Sequence, residues 1–373
     1  MDFTLDDEQR ALSELAGRIL TEQLPPERLK ALEAADDGFP GDVWSALARA
    51  DLLGLCLPEA DGGAGYGMFE AALLLEQVGG AVAPVPLWDV VVLGAMPLAR
   101  FGSAEQRRRW LPGVIAGQVL MTAALTEPGS AVAPEHPSTT ATGRGDGWVL
   151  DGEKHLVAVA DRAARVLVPA TTGAGTTGVF LLDPASPGVT LEPQQITTGE
   201  TRWLLTMTGA AADDVLGGPV TGDEIIAWLT DHALVGLCAM QAGVCEAALR
   251  LTAAYTSERE QFNAKIATFQ AVAQRAADAY IDTEAVRLTS RQAAWRLAEG
   301  IPAADAIAVA KFWAADGGQR VVHAAQHLHG GIGVDVDYPV HRYFRWAKHL
   351  ELTLGGAATH LLRIGARLAA EPI

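Results

Sequence analysis

The sequence predicts a mainly α-helical protein with a β domain inserted between helical regions. Three observations carry that prediction. Helical periodicity runs to about residue 117, short β-type runs with turn punctuation fill 118–222, and long helical stretches occupy 223–373. The expected layout is therefore an N-terminal helical domain at 1–117, a middle β-barrel-like domain at 118–222 and a C-terminal four-helix bundle at 223–373.

In the first region, LDDEQRALSELAGRIL places Leu12, Leu15, Ile19 and Leu20 on one helical stripe, and Pro25 and Pro26 end that helix. Further helices are expected over 42–50 and 69–78, before the apolar segment 82–98. Gly62, Gly63, Gly65 and Gly67 form a connecting loop. Its GGAGYG text neither follows a clear strand nor ends in the lysine and hydroxyl of a phosphate-binding loop. The middle region reads as strands: VLMTAAL, WVLDGEKHLVAVA, ARVLVPATT, TGVFLLD, GVTLEP and RWLLTMTG. After Asp223, one helix begins around Ile225, Ile226 and Leu229. Others cover 269–297, 303–327 and 341–368, the last broken near Gly355 and Gly356.

Composition narrows the function. With 373 residues, 49% hydrophobic and 20% charged, the chain can bury a large core and shows no bias towards disorder. A net charge of −17 argues against nucleic-acid and anionic-membrane partners, so any phosphate ligand must be held by local groups. No apolar run reaches the length of a membrane span and the N-terminus is acidic, which points to a cytoplasmic protein. Cys56, Cys238 and Cys245 lack ligand-like spacing and read as packing residues; no metal site is evident.

The segment SEREQFNAKIATFQAV, 257–272, stands out because it sets a fixed cation beside an aromatic ring in an acidic chain. The Arg259 fork can hold a phosphate bidentately, and Phe262 can cover an adenine or flavin plane, so the pair suits a dinucleotide. The plainer alternative is a helix-start arginine followed by a core phenylalanine.

This segment resembles the acyl-CoA dehydrogenase pattern in which an arginine and a phenylalanine precede a Phe-Gln pair, here Phe269 and Gln270. ALTEPG at 124–129 and HGGIG at 329–333, followed by DYPVHRYFRWAK, fall where that family has its other motifs. The resemblance spans the chain and implies the same three-part fold, with FAD built from two subunits. It implies that one subunit holds the flavin ring, through the TEPG loop, a Trp and a Thr in the β domain, and the catalytic glutamate. The neighbour lends its arginine, its phenylalanine and the backbone around HGG.

The two sets fare differently here. After ALTEPG, the family's Gly-Ser-Asp is replaced by Ser130, Ala131, Val132 and Ala133, and the Trp and Thr positions match Leu156 and Ala158. The catalytic glutamate position aligns to Leu354 and its alternative to Ala233, so the expected base, which takes the α-proton as hydride leaves the β-carbon, is missing. The lent set keeps Arg259, Phe262, Phe269, Gln270, Gly330, Gly331 and Gly333, while His327 stands where many members have glutamine. A generally decayed chain would lose both sets.

The resemblance thus implies the partner subunit of a heteromeric, FAD-dependent acyl-CoA dehydrogenase, similar to the two-chain enzymes of actinobacterial steroid side-chain degradation. Its partners would be a second dehydrogenase-like chain carrying the base, an acyl-CoA substrate and an electron-transfer acceptor. Two other readings stand beside it: a self-sufficient flavoenzyme using Asp231 or Glu351 as a relocated base, and a non-catalytic structural or regulatory protein.

Overall fold

Local signals set the first helices. In α1 (Asp7–Gln23), Asp6 accepts from the Gln9 amide at 2.8 Å and the Gln9 side chain accepts from the Asp6 amide at 3.2 Å, a reciprocal cap. Pro25 and Pro26 do end α1. Pro26 also opens α2 (Pro26–Glu33), because its fixed φ and missing N–H suit the first helical position. The computed structural model describes residues 3–370 apart from 36, 146 and 220. Next come α3 (Gly41–Arg49) and α4 (Met68–Gly80). The apolar segment becomes a buried π-helical stretch, Trp88–Ala95, running into α5 (Met96–Phe101). Helix α6 (Ala104–Ile115), not foreseen from the sequence, starts at a second reciprocal cap between Ser103 and Gln106.

The middle strands are β1 (Met121–Ala123), β2 (Thr140–Arg144), β3 (Gly147–Ala158), β4 (Arg165–Thr172), β5 (Thr177–Leu182), β6 (Val189–Gln195) and β7 (Thr201–Leu216). They form one sheet that closes on itself: β4, β2, β3, β7 and β5 pair in turn and β5 returns to β4, with β1 and β6 added on β4 and β7. Side chains alternate across a strand, so Val166, Val168 and Ala170 of β4 share one core with Leu150, Phe180, Leu205 and Met207.

The C-terminal helices are α7 (Gly222–Glu258), α8 (Gln270–Ala298), α9 (Ala304–His329), α10 (Val340–Leu352) and α11 (Ala357–Ala370). The break expected near Gly355 and Gly356 divides the fourth expected helix into α10 and α11. Helix α7 passes the length and composition test for a membrane span, contrary to the sequence reading. Yet 72% of its apolar window is buried, as in a core helix.

Contacts divide the chain into two compact units. One comprises Asp36–Ala71 and Val85–Ala233 and holds the β sheet; the other comprises Met1–Ala35, Ala72–Pro84 and Leu234–Ile373. Within the second, α4 and α7 meet backbone to backbone. A Cβ on Gly79 would fall 1.9 Å from the Met240 carbonyl oxygen, and one on Gly243 would fall 1.8 Å from that of Glu76. Only glycine permits that crossing at either position. Helix α9 is buried along most of its length through small residues, among them Ala310, Ala314, Gly317 and Gly318. Its fully buried Lys311 ammonium donates to the Leu350 carbonyl at 2.8 Å and the Glu351 carbonyl at 3.0 Å, satisfying the end of α10.

Candidate cofactor half-site

Arg259 follows the last residue of α7 and begins a two-stranded hairpin, β8 (Glu260–Gln261) and β9 (Ala264–Lys265). The hairpin closes with Ile266 N–H donating to the Arg259 carbonyl at 2.9 Å, and the Lys265 ammonium donating to the Glu258 carbonyl at 2.9 Å. Phe262 and Asn263 form its two-residue turn with φ of 53° and 60°, the signs a type I′ turn requires. Asparagine tolerates that region well; phenylalanine does not.

The phenylalanine gains nothing from the core in return. Phe262 is 91% exposed, touching the Phe269 ring edge-on at 6.4 Å between centroids, so the core-phenylalanine alternative does not hold. Arg259 is likewise exposed and has no carboxylate partner among the described residues. Phe269 is the residue before α8 and Gln270 its exposed first residue.

Helix α9 ends at His329, and Gly330 turns the chain with φ 63° and ψ −138°, a conformation reserved for glycine. The three glycines then separate by cause. A Cβ on Gly333 would meet the Gln326 carbonyl oxygen at 2.6 Å, so that glycine is a packing residue. Cβ atoms on Gly330 and Gly331 would meet nothing within 4 Å, and Gly331 has no positive φ. Gly331 therefore has neither a packing nor a conformational reason inside this chain. His327 is exposed, whereas Gln326 is half-buried beside Gly333.

What ties the hairpin to the glycine turn was not foreseen. Tyr255, whose carbonyl accepts from the Arg259 amide at 2.9 Å, stacks on His329 at 4.5 Å between centroids with the rings 24° apart. Tyr338 packs against both, at 5.2 Å from His329 and 6.1 Å from Tyr255. Sequence carries only a faint signal for this: an aromatic one helical turn before the arginine and a histidine directly before the glycine pair.

The residues at the positions aligned to the ring-holding set are placed differently. Glu127 of ALTEPG is buried, and it accepts from the Lys154 ammonium at 2.7 Å and from the amides and hydroxyls of Ser138 and Thr139 at 2.6–3.0 Å. Burial alone would raise its carboxyl, but hydrogen bonds from Lys154, Ser138 and Thr139 outweigh it and hold the group at about 2. The motif thus has a structural reason to persist. The Ser130 hydroxyl donates locally to the Val132 carbonyl at 2.8 Å. Leu156 sits at a register shift of β3 with φ 55° and its amide donates to the Gln194 side chain at 2.8 Å, while Ala158 is buried.

Both positions aligned to a catalytic glutamate are buried and apolar. Leu354 is 4% exposed and Ala233 0%. Leu354 has φ 56° in the turn between α10 and α11, and its carbonyl accepts from the buried His360 ring at 3.1 Å. Of the substitute bases, Glu351 is tied to the Lys348 ammonium at 2.8 Å, and Asp231 is half-buried on α7. His232, next to Asp231, is buried and stacked on Trp228 at 3.6 Å, and burial pushes its ring down to about 4. Among the described residues no group of three or more His, Cys, Asp or Glu side chains is placed to hold a metal ion.

Family sequence models match the chain in three consecutive parts. The acyl-CoA dehydrogenase N-terminal domain matches residues 6–118, the middle domain 122–205 and the C-terminal domain 221–369. This protein belongs to the acyl-CoA dehydrogenase family, oxidoreductases that use FAD. Among its relatives, acyl-CoA dehydrogenase FadE27 of Mycobacterium tuberculosis (strain ATCC 25618 / H37Rv) is 40% identical over 100% of both chains. FadE28 of the same strain is 34% identical, over 98% of this chain and 99% of its own. Among solved structures, a Tcur3481-Tcur3483 steroid ACAD variant aligns with TM-score 0.91 and 44% identity, covering 98% of this chain and 99% of that one. The ChsE4-ChsE5 complex from Mycobacterium tuberculosis aligns with TM-score 0.94 and 39% identity over 100% of both.

Proposed function

We propose that this chain is the subunit of a heteromeric acyl-CoA dehydrogenase that completes the FAD site of a catalytic partner chain. The observation that carries this reading is an asymmetry. The hairpin presents Arg259 without a carboxylate partner among the described residues and Phe262 almost wholly to solvent, whereas the aligned base positions are the buried Leu354 and Ala233. Two relatives of known structure bear on it: one is described as a complex of two chains and the other as a steroid ACAD with two chain names.

The residues suit FAD at its phosphate and adenine end. Arg259 would bind pyrophosphate, Phe262 would cover a ring face with Phe269 beside it, Gln270 and His327 would supply polar contacts, and the Gly330–Gly331 backbone would approach closely. FAD, when bound, takes the hydride from the substrate β-carbon. This chain's part is to bind and orient; removal of the α-proton falls to the partner. The substrate class would be CoA thioesters, with sterol side chains favoured by the steroid relative, and the electrons would pass to an electron-transfer acceptor. A cytoplasmic location and domain limits at 117 and 222 belong to the same reading.

Apolar side chains left on the surface support assembly. Tyr280, Ile281 and Leu288 of α8 and Leu361, Leu362 and Leu368 of α11 are all exposed, apolar groups that assembly with another chain would cover. The self-sufficient alternative is weaker, since Glu351 is already held by Lys348.

Arg259→Ala in the co-purified complex tests the reading. Loss of a charge-assisted bond of about 1.5–3 kcal/mol lowers FAD affinity by roughly 10- to 100-fold while chain stoichiometry stays the same. Unchanged FAD content would refute it.

A further inference from the structure

We propose that His329, through its stack on Tyr255 and its contact with Tyr338, is the positioning residue that holds the Arg259 hairpin in register with the Gly330–Gly331 turn. The inference rests on the half-site reading and deepens it. Arg259 and Gly330 belong to chain segments about 70 residues apart, leaving two different helices, so their relative placement needs a connection that neither helix supplies alone. Tyr255 lies one turn before Arg259 on α7 and is bonded to it through the backbone at 2.9 Å; His329 is the last residue of α9 before Gly330. The stack, 4.5 Å between centroids with the rings 24° apart, joins one segment directly to the other.

The hydrogen bonds of the imidazole show which part of it acts. Nδ1 faces the Ala325 carbonyl at 2.7 Å, so it carries the proton, and Nε2 is left as an acceptor, buried and without a partner among the described residues. The ring is 3% exposed, and burial shifts it downward from the ordinary histidine value, which favours the neutral form. Its polar edge therefore contributes nothing towards the hairpin; the contact with Tyr255 and Tyr338 is made by ring faces and edges. An aromatic of similar size should then replace it, which a hydrogen-bonding or titrating role would not allow.

The test uses the complex with its partner chain and reads FAD dissociation separately from chain assembly, the latter by native mass. His329→Ala and Tyr255→Leu should each weaken FAD about 10-fold with assembly intact, His329→Phe should keep affinity within about 2-fold of the parent, and the double variant should be no worse than either single one. Wild-type FAD affinity in His329→Ala, failure of Phe to rescue, or full additivity of the two losses would overturn the proposal. If His329→Ala does not assemble, Tyr255→Leu decides by the same criterion. Arg259→Ala serves as the control. If it leaves FAD unchanged, the half-site reading itself falls; if it weakens FAD while His329→Ala does not, only the positioning role falls.

Discussion

Glu127→Gln should destabilise the β domain without touching the proposed half-site at Arg259. The carboxylate is 5% exposed in its side chain and receives five hydrogen bonds, one from the fully buried Lys154 ammonium. Holding the carboxyl at about 2 rather than its ordinary 4.5 corresponds to about 3 kcal/mol, at about 1.4 kcal/mol per unit. Removing one partner of a buried ion pair independently suggests about 3–5 kcal/mol, because Lys154 would be left charged without a counter-ion. The folded carboxyl lies below the unfolded one, so this stability is fully present above pH 4.5 and is lost as pH falls from 4.5 towards 2. Urea unfolding of the chain with its partner, combined with hydrogen exchange at the Ser138 and Thr139 amides, measures it. A midpoint shift equivalent to less than about 0.5 kcal/mol, with protected amides, would refute the view that ALTEPG persists here for folding reasons.

Phe262→Ser should leave urea stability within about 0.5 kcal/mol, since the ring is 91% exposed, yet lower FAD retention in the complex; a urea unfolding curve reads the first and flavin absorbance after gel filtration the second. Gly243→Ala should strongly reduce soluble, folded protein, because its Cβ would enter the Glu76 carbonyl at 1.8 Å; circular dichroism against Gly365→Ala, which meets nothing within 4 Å, gives the comparison. His232 and His360 are buried and held at about 4, below the ordinary 6.5, mainly by burial. Their neutral forms favour the fold, so stability falls as pH drops from about 6.5 to 4, and His360→Gln should flatten that part of a urea-midpoint-against-pH curve.

The sequence conveyed the helical, β and helical order because periodicity is a property of neighbouring residues, and Leu12, Leu15 and Ile19 or the alternating Val166 and Val168 display it directly. It hid α2 because a proline pair marks an ending and a beginning alike, and only the chain's direction after Pro26 distinguishes them. The hairpin at 259–266 was invisible for another reason. Its turn residues are Phe262 and Asn263, not the Asn-Gly that advertises a type I′ turn, so the segment reads as helix. Tyr255, His329 and Tyr338 come from three separate stretches, and no one-dimensional spacing predicts their stack. The identities of Leu354 and Ala233, the positions the resemblance aligns to a catalytic base, are by contrast plain in the sequence; the structure adds that both side chains are buried.

The central claim is that this chain lends a half-site and holds no flavin of its own. Native mass spectrometry of the chain expressed alone, and co-expressed with a catalytic acyl-CoA dehydrogenase chain, counts subunits and FAD in one experiment. The account predicts no flavin on the lone chain and one FAD for each pair of unlike chains in the complex. One FAD per copy on a stable assembly of this chain alone would contradict it, and would return attention to Asp231 and Glu351 as bases.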